Sequence, residues 1–342
     1  MSRIAVVLFN LGGPDGPDAV RPFLRNLFAD PAIIAGPAPL RLGLAELISR
    51  VREKSAKANY AVMGGGSPLN AETGAQATAL QARLAQLRPG DEVKVFMAMR
   101  YWRPFTAETA AEVAAFAPDD VVLLPLYPQF STTTTGSSYG AWSRAYQGGG
   151  RQHGVCCYFE NAALADAHAA LILDAWRAAG SPAKVRLLFS AHGLPEKIAV
   201  GGDPYQWQIE RSCAKVAERL DASWDWRVCY QSRVGPMKWI GPSTIEEIER
   251  AGAEGLGVLI DPIAFVSEHV ETLVELDRDY AEVARRAGAA PYIRVPALGT
   301  HPRFIDALAE LTQTMLAGQL AGGGFGCAEG FSRCGRGRAE AA

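Results

Sequence analysis

Six short apolar runs, separated by Ala- and Leu-rich stretches of helical length, constrain this fold more than any other feature. The runs cover residues 4–10, 93–97, 121–126, 185–190, 227–231 and 257–261, with helical patterning at 43–56, 71–87, 107–114, 164–178, 205–220, 268–287 and 303–316. Parallel strands cannot be joined by a tight turn, so this alternation predicts parallel sheets with crossover helices. Three runs fall on either side of the glycine stretch 148–150. The expected architecture is α/β, with two similar doubly wound halves at 1–147 and 148–299. A C-terminal helix at 300–320 is expected to pack back on the first half, before a loosely ordered Gly- and Arg-rich tail at 321–342. The length of 342 residues supports this division, since it exceeds what one hydrophobic core usually holds.

Several classes are excluded by charge and hydropathy. Lys and Arg total 34 against 36 Asp and Glu, a net charge of -2, which offers no electrostatic footprint for nucleic acid. No apolar run reaches the ~18–20 residues needed to span a bilayer. The apolar stretch at 4–9 is shorter than the ~7–15-residue core of a secretory signal and reads as a first strand. Six cysteines are too few for a disulfide scaffold and, with no export signal, are expected to stay reduced in the cytoplasm.

In open parallel sheets, ligands bind beyond the carboxyl ends of the strands, so the residues after each run are read chemically. The turn at 11–18 lacks both the G-x-G-x-x-G spacing and a G-K-[ST] ending, which argues against NAD and ATP. The Gly64–Gly66 stretch with Ser67 and Pro68 fits a mobile lid or a plain linker. Arg100, Tyr101, Trp102 and Arg103 join cations to aromatic faces, suiting a large planar acid or ordinary surface packing. The hydroxyl run 131–138 can cap a helix or hold an anion at its N-terminus.

The second half carries sharper signals. His192, one of five histidines, stands at the carboxyl edge of a strand, followed by Gly193. From that segment alone a satisfied core histidine explains it as well as a catalytic one. The stretch 262–277 leaves the last strand and enters a helix whose residues Glu268, Glu271 and Glu275 share one face of a regular helix. Such like charges repel, yet they sit where a cleft is expected. His269 lies about 200° around a regular helix from Glu271, so Glu271 is paired instead with His192. One imidazole with one carboxylate makes an open coordination shell suited to ferrous iron or another divalent first-row metal. Trp239, between two Gly-Pro pairs, fits a wall for a flat ligand or a hydrophobic plug.

Taken in order, Asn10–Pro14, Gly65–Pro68, Arg100–Tyr101, Tyr127–Gln129, Ser190–His192, Gln231–Pro236 and Pro262–Phe265 through Glu271–Leu273 resemble the motifs of the ferrochelatase family, from about residue 6 to 316. The resemblance implies two Rossmann-like halves holding a porphyrin in a cleft. It also implies an enzyme that inserts ferrous iron into protoporphyrin IX in the last step of haem synthesis, bending the macrocycle as two pyrrole protons leave. It makes His192 and Glu271 the metal and catalytic pair, with His269 beside them and Glu268 and Glu275 continuing an acidic line. His192, in its neutral form, is the preferred proton acceptor. Leu11, Tyr101, Trp239 and Phe265 would shape the porphyrin pocket, and Ser67 and Arg100 would meet its polar groups.

Some relatives carry an iron-sulfur cluster, in bacteria through an internal cysteine and a C-terminal Cys-x6-Cys-x-Cys pattern. This tail has Cys327 and Cys334 at that spacing but Arg336 at the third place, and Cys156 and Cys157 could complete a [2Fe-2S] ligand set or remain free thiols. The apolar stretch 31–40 fits a lip for peripheral contact at the inner face of a membrane, or burial between the halves. The rival readings are a chelatase of the same fold acting on coproporphyrin III or inserting cobalt, and a non-catalytic carrier of haem or metal.

Overall fold

The computed structural model describes residues 1–233, 235, 237–319 and 330–334. In chain order the first unit holds β1 (Arg3–Asn10), α1 (Val20–Phe28), α2 (Ala38–Val62), α3 (Leu69–Leu87), β2 (Glu92–Met99), α4 (Thr106–Phe116), β3 (Asp120–Pro125), α5 (Thr135–Ala145) and β4 (Arg151–Gly154). The second continues with α6 (Ala162–Ala178), β5 (Val185–His192), α7 (Glu196–Val200), α8 (Tyr205–Ala217), β6 (Trp226–Gln231), α9 (Thr244–Ala253) and β7 (Gly257–Asp261). A π-helix (Glu271–Tyr280), α10 (Ala281–Ala287), β8 (Tyr292–Arg294) and α11 (Pro302–Leu316) complete the order.

Each unit carries a four-stranded parallel sheet with the same winding, β2-β1-β3-β4 in one and β6-β5-β7-β8 in the other. One short strand therefore joins the three apolar runs of each half. β4 and β8 have four and three residues and no buried apolar run of their own, so hydropathy does not reveal them. β4 pairs with β3, so the chain after Gly148–Gly150 is still part of the first sheet, and the first unit runs through Cys157. Residues 308–319 also group with the first unit, whereas 158–307 and 330–334 form the second.

Alternation along β5 shows why both sheet faces are covered. Leu187, Phe189 and Ala191 join one buried cluster with Ile209 and Cys213 of α8, while Leu188 joins another with Ile248 of α9 and Leu276 of the π-helix. Parallel strands buried on both faces read as continuous apolar runs, the pattern that betrayed them in the sequence. In the first unit, Ala5, Val7 and Phe9 pack with Phe96, Val121 and Trp142 in the same manner.

Candidate active site

β5 and β6 end in register, with His192 opposite Gln231, and β5 also pairs with β7. The strand order reverses about β5, so His192 flanks the crevice where doubly wound sheets bind ligands. Beyond β7 the chain passes Phe265 and His269 and enters the π-helix at Glu271. There Glu271 Oε2 lies 2.6 Å from His192 Nδ1, across 79 residues of sequence.

The wider i→i+5 winding of the π-helix rearranges the acidic stripe expected of a regular helix. Glu271 and Glu275 both turn toward Ser232, whose hydroxyl lies 3.0 Å from Glu271 Oε2 and 2.5 Å from Glu275 Oε2. Glu275 Oε1 also accepts from Tyr280 Oη at 2.7 Å and from the Ser232 N–H at 2.9 Å. Glu268 does not continue the line. It accepts from Arg294 at 2.5 Å and from the Ala297 N–H at 2.9 Å, because β8 presents a guanidinium on that side. The three-carboxylate row is thus corrected to a pair, with the third acid neutralised elsewhere.

Electrostatics follow from these contacts. Burial opposes charge on His192, but Glu271 outweighs it and raises the imidazole above its ordinary value, with Glu275 adding to the effect. Burial likewise opposes the Glu271 anion, and the His192 and His269 rings overcome it and hold the carboxyl well below its usual range. Glu275 moves the other way, raised by burial and by the Glu271 charge. His269 is 8% exposed, its pKa is lowered by burial, and its Nδ1 has no hydrogen-bond partner among the described residues. Glu271 thus shifts the balance of His192 toward the protonated ring, against the effect of burial.

Aromatic groups flank this pair. The Phe265 ring centroid lies 6.5 Å from that of His192 and 4.7 Å from that of His269. Trp239 is half-buried and forms a short antiparallel bridge with Pro195. A β-carbon at Gly193 would sit 3.3 Å from the Trp239 ring and 2.7 Å from the Gln231 carbonyl, so only glycine lets these segments approach. The side chains form an open set: among the described residues no three His, Cys, Asp or Glu side chains are arranged to hold a metal.

In the first unit, Arg100 and Tyr101 follow β2 and donate backbone N–H groups to Asn10 and Leu11. Arg100 is 2.8 Å from the buried Asp30 and donates to Ser137 at 2.7 Å. Tyr101, expected to shape a pocket, is fully buried and donates to Asp30; it backs Arg100 instead of presenting a ring to a ligand. Leu11 is half-buried, and Ser67 accepts from the Leu69 N–H at the start of α3.

The ferrochelatase family model matches residues 3–316. The protein named Ferrochelatase from Caulobacter vibrioides (strain NA1000 / CB15N) is 63% identical over 336 residues, covering 97% of each chain. This chain belongs to the ferrochelatase family. Another member, from Phenylobacterium zucineum (strain HLK1), is 59% identical over 97% of each chain. Of solved structures, SirB from Bacillus subtilis with Fe3+ superposes with a TM-score of 0.51 at 10% identity, covering 93% of this chain and 97% of that one. DR2241 from Deinococcus radiodurans, described as a multi-domain protein with structural similarity to chelatases, gives 0.54 at 18% identity; the alignment covers 96% of this chain and 56% of that one. At such identities these two likenesses show the fold alone.

Set against the ferrochelatase motifs, sequence reasoning missed Asp30 and the roles of Ser137 and Ser232. Ser232 stood inside a quoted motif, where its place directly after a strand was a usable signal. Asp30 gave none, since a single acid after an apolar helix looks like a cap. Cys156 and Cys157 follow β4 and are buried, as is Cys334; Cys327 and Arg336 lie outside the described residues. Part of the tail expected to be loose is docked: Arg333 N–H donates to Gly202, and the Phe331 ring packs 5.6 Å from Trp207.

Proposed function

We propose that this enzyme inserts ferrous iron into protoporphyrin IX, using His192 and Glu271 as its metal-site pair. The observation that carries the reading is the 2.6 Å contact between His192 Nδ1 and Glu271 Oε2 at the carboxyl edge of β5. A carboxylate on Nδ1 fixes the ring orientation and leaves Nε2 for substrate. Neutral His192 then accepts a pyrrole proton, and Glu271 stabilises the imidazolium that results. One pyrrole proton passes to His192 and the other to water, so two protons leave as one Fe2+ enters and charge balances. Phe265 and Trp239, beside the pair, serve as porphyrin-facing aromatics, with Leu11, Ser67 and Arg100 as further contacts. The test is anaerobic insertion of ferrous iron into protoporphyrin IX by wild type, His192→Ala and Glu271→Ala. Loss of turnover in both variants is expected; full activity in both would remove the assignment.

We further propose peripheral contact with the cytoplasmic face of a membrane through α2. Leu40, Leu44, Leu47 and Val51 follow helical spacing and are 73, 42, 59 and 73% exposed. The same helix carries Arg41, Arg50, Arg52, Lys54 and Lys57 against Glu46 and Glu53, which pair with Arg50 and Lys57, leaving an excess of positive charge beside the apolar groups, as anionic lipid surfaces favour. No helix among the described residues is long and apolar enough to cross a membrane. Co-sedimentation with anionic vesicles, abolished by Leu47→Glu with Val51→Glu, is the expected result.

A [2Fe-2S] cluster on Cys156, Cys157, Cys327 and Cys334 is likewise proposed. Cys156, Cys157 and Cys334, the members of this set among the described residues, are each buried. Thiolate donors suit such a cluster, which when bound supplies a one-electron redox centre. Visible absorption and acid-labile sulfide, both lost in Cys334→Ser, are expected.

A further inference from the structure

Ser232, the first residue beyond β6, has a backbone φ of 60°, in the left-handed region that glycine and asparagine enter far more readily than serine. That conformation turns two donors of one residue onto the π-helix. Its N–H donates to Glu275 Oε1 at 2.9 Å, and its hydroxyl sits between Oε2 of Glu271 and Oε2 of Glu275. Gln231 reinforces the contact through Nε2, which donates to the Glu271 carbonyl at 3.1 Å and to Glu275 Oε2 at 3.3 Å. The Glu271 oxygen that meets Ser232 is the one that meets His192. The hydroxyl carries one proton and so donates to one carboxylate at a time; donated to Glu271 it holds the oxygen that meets the imidazole, and without it Glu271 is free to rotate off the ring. Backbone strain held at such a junction is a recurrent sign of a functional constraint.

We propose that Ser232 is a positioning residue for metal insertion: anchored by its N–H on Glu275, it places its hydroxyl 3.0 Å from Glu271 Oε2, and donation there fixes the carboxylate that orients His192. This role rests on the reading of His192 and Glu271 as the insertion site. Ser232 touches neither iron nor porphyrin in this account and acts only through Glu271.

Ser232→Gly is the discriminating variant, because glycine takes the same φ without steric cost and removes only the side-chain donor. It is expected to melt no lower than wild type and to leave the KM for porphyrin unchanged. Its kcat/KM for ferrous iron should fall about ten-fold or more, the scale of a lost hydrogen bond to a charged group. Wild-type kcat/KM for iron in Ser232→Gly would overturn the proposal. So would a loss that tracks a lower melting temperature and an equal rise in porphyrin KM. Glu271→Gln measured alongside separates the two readings. If it also retains wild-type turnover, the His192–Glu271 site itself falls; if it is impaired while Ser232→Gly is not, only the role of Ser232 falls.

Discussion

Arg100 lies 2.8 Å from Asp30, whose side chain is 2% exposed. The same Asp30 oxygen accepts from Tyr101 Oη at 2.8 Å and from the Ser137 hydroxyl, while the other accepts from the Ala32 N–H at 2.9 Å. Donors from four positions therefore converge on one buried anion. Removing that anion leaves a largely buried guanidinium uncompensated, so Asp30→Ala is expected to lower stability by about 3–5 kcal/mol. Urea unfolding measures this; a change under about 0.5 kcal/mol, the range of a plain surface substitution, would show that the pair holds nothing in place.

The His192–Glu271 contact sets a pH dependence for turnover. His192 must be neutral to take a pyrrole proton, so activity rises as pH climbs through its pKa. Glu271 raises that pKa above the ordinary 6.5, while burial alone would lower it. The acid limb of kcat/KM is therefore expected above about pH 6.5 in wild type. In Glu271→Gln it should move to lower pH while the maximum falls. A limb that stays in place when the carboxylate is neutralised would show that another group titrates.

Gly193 separates steric from chemical requirements at the same edge. Its N–H donates to the Gln231 carbonyl at 2.8 Å, and an added β-carbon would stand 2.7 Å from that oxygen. Backbone cannot yield as a flexible side chain does, so Gly193→Ala must spread the segments after β5 and β6. A stability loss of about 1–3 kcal/mol is expected from such overpacking, with reduced turnover because His192 is the preceding residue. Unchanged melting and unchanged turnover together would refute it.

What could be read from the sequence follows from how locally each feature is encoded. The central strands β1, β3, β5 and β7 declared themselves because they are buried on both faces and so read as apolar runs, while the edge strands β2 and β6 showed only through shorter runs in their carboxyl halves. β4 and β8 were silent because Arg151–Gly154 and Tyr292–Arg294 are short edge strands without an apolar run. His192 was legible by its place after a strand, and its pairing with Glu271 followed from excluding His269 on helical geometry. The departure from that geometry was not legible. Nothing in the composition of Glu271–Tyr280 distinguishes a π-helix from an α-helix, and the contacts it makes to Ser232 and Arg294 come from residues distant in sequence. For the same reason Glu268 looked like part of a metal path until the guanidinium from β8 was located.

The Glu268–Arg294 pair gives the molecule an acid-sensitive contact at the entry of the π-helix. Burial opposes the Glu268 charge, but Arg294 outweighs it, with hydrogen bonds from Thr272 and the Ala297 N–H, so its pKa falls below the ordinary 4.5. A carboxyl depressed in the folded state binds its proton more weakly there than in the unfolded chain. Its stabilising contribution is thus complete above about pH 4.5 and is lost as pH falls through the folded value. Arg294 also holds Asp277 at 2.6 Å, which couples β8 to the middle of the π-helix. Glu268→Gln is expected to be less stable than wild type at pH 7 and to lose less on acidification, so the two curves converge below pH 4.5. Urea midpoints between about pH 7 and pH 3 test this. Parallel curves over that window would show that Glu268 titrates alike in the folded and unfolded chains, and that Arg294 contributes no net stabilisation to the entry of the π-helix.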